Sequence, residues 1–376
     1  MKTVKILHTA DIHLGAAESF LGTLAENRRF ETLVTFEGVM DTALSEGVEL
    51  VLIAGDLLDS NSVEDRFSEA VLAKIASLPI KVVFAAGNHD PLDASSPFLN
   101  KKLPENLYVL KTKDSVLTFE DINVKVYGRS FENAFLQGEK EFTIIPENDG
   151  YINILVQHGE LKSDLNSEYN AITPHFVKSS KMDYIALGHV HTHTEIGRID
   201  DTFFAYCGCP EGQGFDELDQ KGVYIGEIGK GFCDLKFVSV SKRQHIHQKI
   251  DVSGLSDITE IANLVLNTLK NSFGDNFGEN LYKIELVGAV SPDTIISTAE
   301  LVSRLSSQLY FVKVKNSTEI SINLGELTKE VSLKGIFAKK MLEKIENVPE
   351  TEKDLYKKAL QLGLTAFNSE VKQDED

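Results

Sequence analysis

Five short polar motifs, each closing an apolar, β-branched run, constrain this chain more than any other feature. They read Asp11-Ile12-His13, Gly55-Asp56-Leu57-Leu58-Asp59, Gly87-Asn88-His89-Asp90, Gln157-His158-Gly159 and Gly188-His189-Val190-His191. The runs they end are VKILHTA, VELVLIAG, IKVVFAAG, YINILVQ and DYIALG. Strands that finish, one after another, in carboxylate, amide or imidazole describe the ligand rim of a sheet. Seven candidate ligands stand there: Asp11, His13, Asp56, Asn88, His158, His189 and His191. That is about what two metal ions need if one carboxylate bridges them and water fills the open positions.

The residue types fit one chemistry. Two divalent ions about 3.5–4 Å apart can hold a phosphate between them, lower the pKa of a shared water and neutralise the phosphoryl oxygens during in-line attack. Mixed Asp, Asn and His donors suit Mn, Fe, Zn or Mg better than a thiolate-seeking metal. In Asp-x-His and His-x-His at strand ends, residues two apart point to the same side.

Around these motifs, strand and helix alternate. Glu26 to Glu46 carries Phe30, Leu33, Val34, Val39, Met40, Ala43 and Leu44 at helical spacing and stops at Gly47. Val63 to Ser77 reads as a second helix ending before Pro79. Strand–helix–strand order predicts a βαβ-built sheet with the site at its carboxyl edge. Shorter strands follow over 106–145 and 151–240, with a hairpin at Gly229-Lys230-Gly231. The pattern changes near Ser241. A strand at 245–251, a helix at 257–272, the strand LYKIELVG, the helix ISTAELVSRLSSQ and the strand LYFVKVKN make a β-α-β-α-β unit. Beyond it, Leu333 to Ile345 and Asp354 to Leu362 read as helices, and the acidic end with Glu370, Asp374, Glu375 and Asp376 reads as disordered.

The motif series resembles the calcineurin-like metallophosphoesterases. LHTADIHLG, IAGDLLD, GNHD and LGHVH are most similar to the SbcD-type DNA double-strand-break repair exonucleases. The resemblance covers roughly residues 1–240. It implies an α/β (α+β) fold: a two-sheet β-sandwich core flanked by helices, a smaller β-α-β-α-β capping domain and a helical C-terminal tail. The expected divisions are 1–240 for the nuclease domain, 241–315 for a capping and DNA-binding domain, and 316–376 for a partner-binding tail. Asp11, His13, Asp56 and His191 would surround one metal, and Asp56, Asn88, His158 and His189 the other. His89 would sit beside the scissile phosphate, stabilising the transition state or protonating the leaving oxygen. Asp59 would orient it. The resemblance makes Mn²⁺ the leading ion, ahead of Mg²⁺, Fe²⁺ or Zn²⁺. It also implies DNA as substrate, a homodimer, and a coiled-coil ATPase partner of the SbcC type. The chain has no Gly-x-x-x-x-Gly-Lys loop, so ATP dependence must reside in another polypeptide.

Composition bounds the alternatives. The chain has 376 residues, enough for two or three domains. No apolar run approaches a membrane span, and a first strand beginning at Val4 leaves no room for a signal peptide, so a cytoplasmic location is expected. Cys207, Cys209 and Cys233 form no disulfide framework and read as small buried strand residues. A net charge of −19 is awkward for a DNA enzyme and fits a subunit that relies on a partner for much of its grip. His8 reads as a packing residue, and His193 lies one step beyond the His-x-His pair. Arg28 and Arg29 read either as phosphate contacts or as a solvated helix face, and Lys242 and Arg243 as facing DNA or water. Two competing functions share the site: a phosphodiesterase or phosphatase for a small molecule or protein, and a non-catalytic scaffold. A scaffold has no need of all seven ligands together with His89.

Overall fold

The computed structural model describes residues 2–135, 142–218, 220–291, 294–321 and 327–368. The chain divides into two compact units, Met1–Gln244 and His245–Asp376. In the first unit, strands β1 (Thr3–Thr9), β2 (Leu50–Ile53), β3 (Lys81–Phe84) and β4 (Leu107–Val109) run parallel. β13 (Gly222–Gly229) and β14 (Phe232–Ser239) extend this sheet antiparallel beside β1, joined by a tight turn at Lys230-Gly231. The second sheet holds β5 (Ser115–Phe119), β6 (Val124–Gly128), β7 (Ile152–His158), β10 (Tyr184–Gly188), β11 (Gly197–Ile199) and β12 (Thr202–Tyr206). β6, β7, β10 and β12 are parallel, and antiparallel β5 and β11 lie at the edges. β8 (Glu160–Leu161) and β9 (Ala171–Ile172) form a short separate pair.

Period-two alternation builds the layers. Val4, Ile6, Leu50, Leu52 and Val83 meet Val124, Val126, Ile154, Val156 and Tyr184 between the two sheets. Leu7, Val51, Ile53, Val82 and Phe84 face the other way, onto helices α1 (Ala25–Ser45) and α2 (Asp65–Ala76) through Phe36, Met40, Phe67, Val71 and Ile75. The outer face of the second sheet is covered by Phe142, Phe176, Val177 and Met182.

Helix α1 departs from its apolar periodicity. Phe30, Val34 and Leu44 are exposed, whereas Arg28, Glu31, Thr32 and Thr35 are buried beside Phe36, Val39, Met40 and Ala43. An ion-pair cluster explains the inversion. Arg28 Nη2 lies 2.5 Å from Glu211 and donates to Gly212 O at 3.1 Å, with Glu18 and Glu31 at 3.6 and 3.4 Å. Arg243 pairs with Glu31 at 2.6 Å, and Lys242 Nζ lies 3.1 Å from Glu31. Neither reading of Arg28 as a surface cation holds. It is a fully buried charge matched by carboxylates, the only form in which burial is tolerated. Arg29 caps Gly15 O and pairs with Glu26 and Glu64.

In the second unit, β15 (His245–Asp251), β16 (Leu281–Val287) and β18 (Phe311–Asn316) form a parallel sheet. β17 (Ala289–Val290) pairs with β19 (Glu319–Ile320). The helices Ile258–Phe273 and Thr298–Leu305 pack on the sheet through Ile261, Val265, Leu269, Leu301 and Leu305 against Ile250, Tyr282, Ile284 and Val312. Helices Leu333–Asn347 and Glu350–Asn368 then pair through Phe337, Ala338, Met341, Leu342 and Ile345 against Leu360 and Leu364. The last helix extends well beyond the expected 354–362, and the acidic end lies outside the described residues. Leu333 and Ile336, at the start of the first of these helices, are 76% and 51% exposed. Among the described residues, no helix is long and apolar enough to cross a membrane.

Candidate metal centre

All five motifs sit where parallel strands end. Asp11 and His13 follow β1, Asp56 follows β2, and Asn88 and His89 follow β3. His158 closes β7, and His189 and His191 follow β10. The loops after β1 and β2 are laced together. Asp11 N donates to Gly55 O at 3.0 Å, His13 N to Asp56 O at 3.0 Å and Leu14 N to Leu57 O at 3.0 Å. Asp11, His13, Asp56 and His189 all have positive φ, at 52°, 48°, 50° and 98°. Four of the seven candidate ligands thus hold a conformation that non-glycine residues rarely adopt, an arrangement the surrounding structure must enforce. Glycine serves close approach here: a methyl on Gly55 would overlap the His158 ring, and one on Gly87 would lie 2.8 Å from Asp56 N.

The donor atoms converge. The ligand atoms of Asp11, His13 and His191 lie within 4.8 Å of one another, as do those of Asp11, Asp56 and His158. His13 Nε2 is 3.2 Å from His191 Nε2. His158 Nε2 is 3.2 Å from Asp56 Oδ2 and 2.9 Å from Asn88 Oδ1. His158 Nδ1 meets Ala54 O at 2.9 Å, so it carries the proton and donates. Nε2 of that tautomer is a lone pair facing two acceptor oxygens. A proton on Nε2 or a bound cation reconciles these three atoms, and the donor set fits a hard or borderline divalent ion. The same demand appears as proton affinity. Burial pulls His158 down, but the Asp56 and Asp11 carboxylates outweigh it and lift it to about 9. Burial pushes Asp56 up, yet His158 and His13 hold it well below the usual carboxylate range. Burial, reinforced by His158, lowers His189 to about 4, so its ring is neutral and able to ligate.

His189 sits differently from the rest. Its amide donates to Asp11 Oδ1 at 2.9 Å. Its ring lies against His158 at 5.2 Å and Tyr169 at 4.8 Å, and its Nε2 is 3.7 Å from Glu160. His89 stands beside the cluster, its ring 4.5 Å from that of His13 and 43% exposed. The contact that orients it is the Asp59 carbonyl, which accepts from Nδ1 at 2.9 Å. The Asp59 carboxylate is 3.8 Å from His89 Nδ1 and nearer to His13 Nδ1, at 3.4 Å. His8 is fully buried between Tyr184 OH and Leu187 O, and burial lowers it to about 3, a neutral packing residue. His193 stacks on Phe237 at 3.9 Å, away from the ligands.

Sequence reasoning passed over two residues. Asp90, wholly buried, accepts from Gly87 N at 2.8 Å, Leu57 N at 2.8 Å and Leu58 N at 3.1 Å, locking the loops that carry Asp56 and Asn88. Its place inside Gly-Asn-His-Asp was a signal. Glu217, in the loop after β12, contacts His191, and nothing in its sequence setting marks it. Cys207 and Cys209 lie in that same loop, buried, and not in a strand as expected; all three cysteines are free.

Residues 4–193 match the calcineurin-like phosphoesterase model, and the chain belongs to that family. The family uses divalent metals for phosphoester hydrolysis. The chain is similar to the DNA double-strand break repair protein Mre11 of Methanopyrus kandleri, at 24% identity over 67% of this chain and 60% of that protein. It is similar to the uncharacterized metallophosphoesterase YhaO of Bacillus subtilis, at 25% identity over 69% and 64%. It is also similar to the Mre11 protein of Thermoplasma acidophilum, at 28% over 77% and 78%. The match thus spans less than two thirds of the first two relatives. Among solved structures, a Thermus thermophilus protein, TT1561, aligns over 64% of this chain and all of its own length, with 11% identity and a TM-score of 0.40.

Proposed function

We propose that this chain is a metal-dependent DNA nuclease that hydrolyses phosphodiester bonds at DNA ends, an exonuclease with scope for endonucleolytic cleavage. The convergence of His158 Nε2 with Asp56 Oδ2 and Asn88 Oδ1, with His89 beside them, carries the reading. Relatives named as DNA double-strand break repair proteins support DNA as the substrate. In this reading Asp11, His13, Asp56 and His191 hold one ion and Asp56, Asn88, His158 and His189 the other. Mn²⁺ is the favoured ion. Bound divalent ions would supply an activated water and neutralise phosphoryl charge. Asp56 would serve both ions, and its Oδ1 accepts from His89 N at 2.9 Å, so this ligand and the acid are registered together. With Nδ1–H donating to the Asp59 carbonyl, His89 in its imidazolium form would give its Nε2 proton to the leaving oxygen and return to the neutral ring. The test is cleavage of end-labelled duplex and single-stranded DNA by Mn²⁺-loaded protein, beside a small aryl phosphodiester. Preferential cleavage of DNA, faster with Mn²⁺ than with Mg²⁺, is expected. Efficient turnover of the small diester with intact DNA would instead make it a small-molecule phosphodiesterase.

The same reading places a coiled-coil ATPase on the C-terminal helical pair. Leu355 and Leu362 are 69% and 72% exposed on the second helix, and the first carries Lys339, Lys340 and Lys344. An apolar and cationic surface of this kind suits laying against another helix. Leu355→Glu with Leu362→Glu is expected to leave the fold and basal cleavage unchanged and to abolish co-purification with the ATPase. Undiminished association would move the contact elsewhere.

A further inference from the structure

We propose that Glu217 is the positioning residue that fixes His191 as a metal ligand. An imidazole ligates through one nitrogen, and the hydrogen bond made by the other selects which. Glu217 Oε1 lies 2.5 Å from His191 Nδ1, while His191 Nε2 lies 3.2 Å from His13 Nε2 at the heart of the cluster. A carboxylate accepts, so Nδ1 carries the hydrogen and Nε2 turns its lone pair to the ion. Charge on Glu217 also raises the basicity of the ring it holds.

The carboxylate is itself held. Its Oε2 accepts from Gln213 N at 2.9 Å and from the Cys209 thiol at 3.5 Å. The His191 carbonyl accepts from Lys221 Nζ at 3.0 Å, so both ends of the histidine are tied down. The loop between Cys207 and Glu217 is anchored from beneath by the buried Arg28–Glu211 pair, and Thr35 Oγ1 donates to Glu211 at 2.8 Å. Gly208, at φ 71°, lets this loop pass close to His191: a methyl there would lie 2.9 Å from the His191 carbonyl. Glutamate, loop and arginine thus form a continuous support reaching from helix α1 to one ligand.

This role rests on the metal-centre reading, and the experiment separates the two. Metal-depleted full-length protein is titrated with Mn²⁺ by calorimetry, and the urea midpoint of the metal-free protein is measured alongside. Glu217→Ala is expected to weaken one of the two ions by about 10- to 100-fold, leaving the other ion and the midpoint as in wild type. Glu217→Gln should restore much of the lost affinity, because an amide oxygen still accepts from Nδ1–H. Wild-type affinity for both ions in Glu217→Ala would overturn the proposal. So would equal losses in the alanine and glutamine variants with a lowered midpoint, which would make Glu217 a packing residue. Loss of a third ion would make it a ligand. Wild-type protein that takes up no Mn²⁺ would instead remove the metal centre itself.

Discussion

Asp56→Ala is expected to lose both ions and to drop hydrolysis to background while the fold persists. Asp56, like Asp11, lies between the two halves of the cluster: its Oδ2 is 3.2 Å from His158 Nε2 and 3.7 Å from His13 Nε2. Its Oδ1 also holds the His89 amide. Alanine therefore removes a ligand from each site and releases the loop that carries the acid. The fold should survive, because Asp90 still binds Gly87 N, Leu57 N and Leu58 N and keeps the two loops together. Elemental analysis of the purified variant is the check. Two ions per chain in Asp56→Ala would contradict the bridging assignment.

His89→Ala should behave in the opposite way, keeping its metals and most of its DNA affinity while turnover falls on the order of 10²–10⁴-fold. The ring is 43% exposed and buries little, so stability should change slightly. Asp59→Asn is expected to cost far less, because the group that orients His89 is the Asp59 carbonyl, which the substitution leaves in place. Single-turnover cleavage of labelled duplex, with binding measured separately, distinguishes these outcomes. Near-normal turnover in His89→Ala would make that residue structural.

The strand ends were legible because burial on a sheet imposes an apolar run, and each run here stops at a polar residue. The hairpin at Lys230-Gly231 was equally plain. What stayed hidden depends on partners distant in sequence. Arg28 looks like a surface cation until Glu211, 183 residues later, is brought against it. For the same reason helix α1 buries Glu31 and Thr35 and exposes Phe30, inverting its own apolar pattern. The left-handed backbone at Asp11, His13 and Asp56 is imposed by hydrogen bonds between two loops about 45 residues apart, and local propensity does not encode it. The residue type of Asp59 points to its side chain, but its carbonyl makes the closer contact with His89, which only the backbone path decides. The last helix ran past its expected end because Leu364 packs with the preceding helix and Gly363 lies close against Phe337.

The central claim is that these strand ends hold two ions that together run phosphodiester hydrolysis. Calorimetric titration of metal-depleted wild-type protein with Mn²⁺, with phosphodiester cleavage followed in the same samples, tests it most directly. Two ions per chain are predicted, with cleavage rising as the second site fills and vanishing in excess chelator. Saturation at one ion with full activity, or cleavage that persists in chelator, would contradict it.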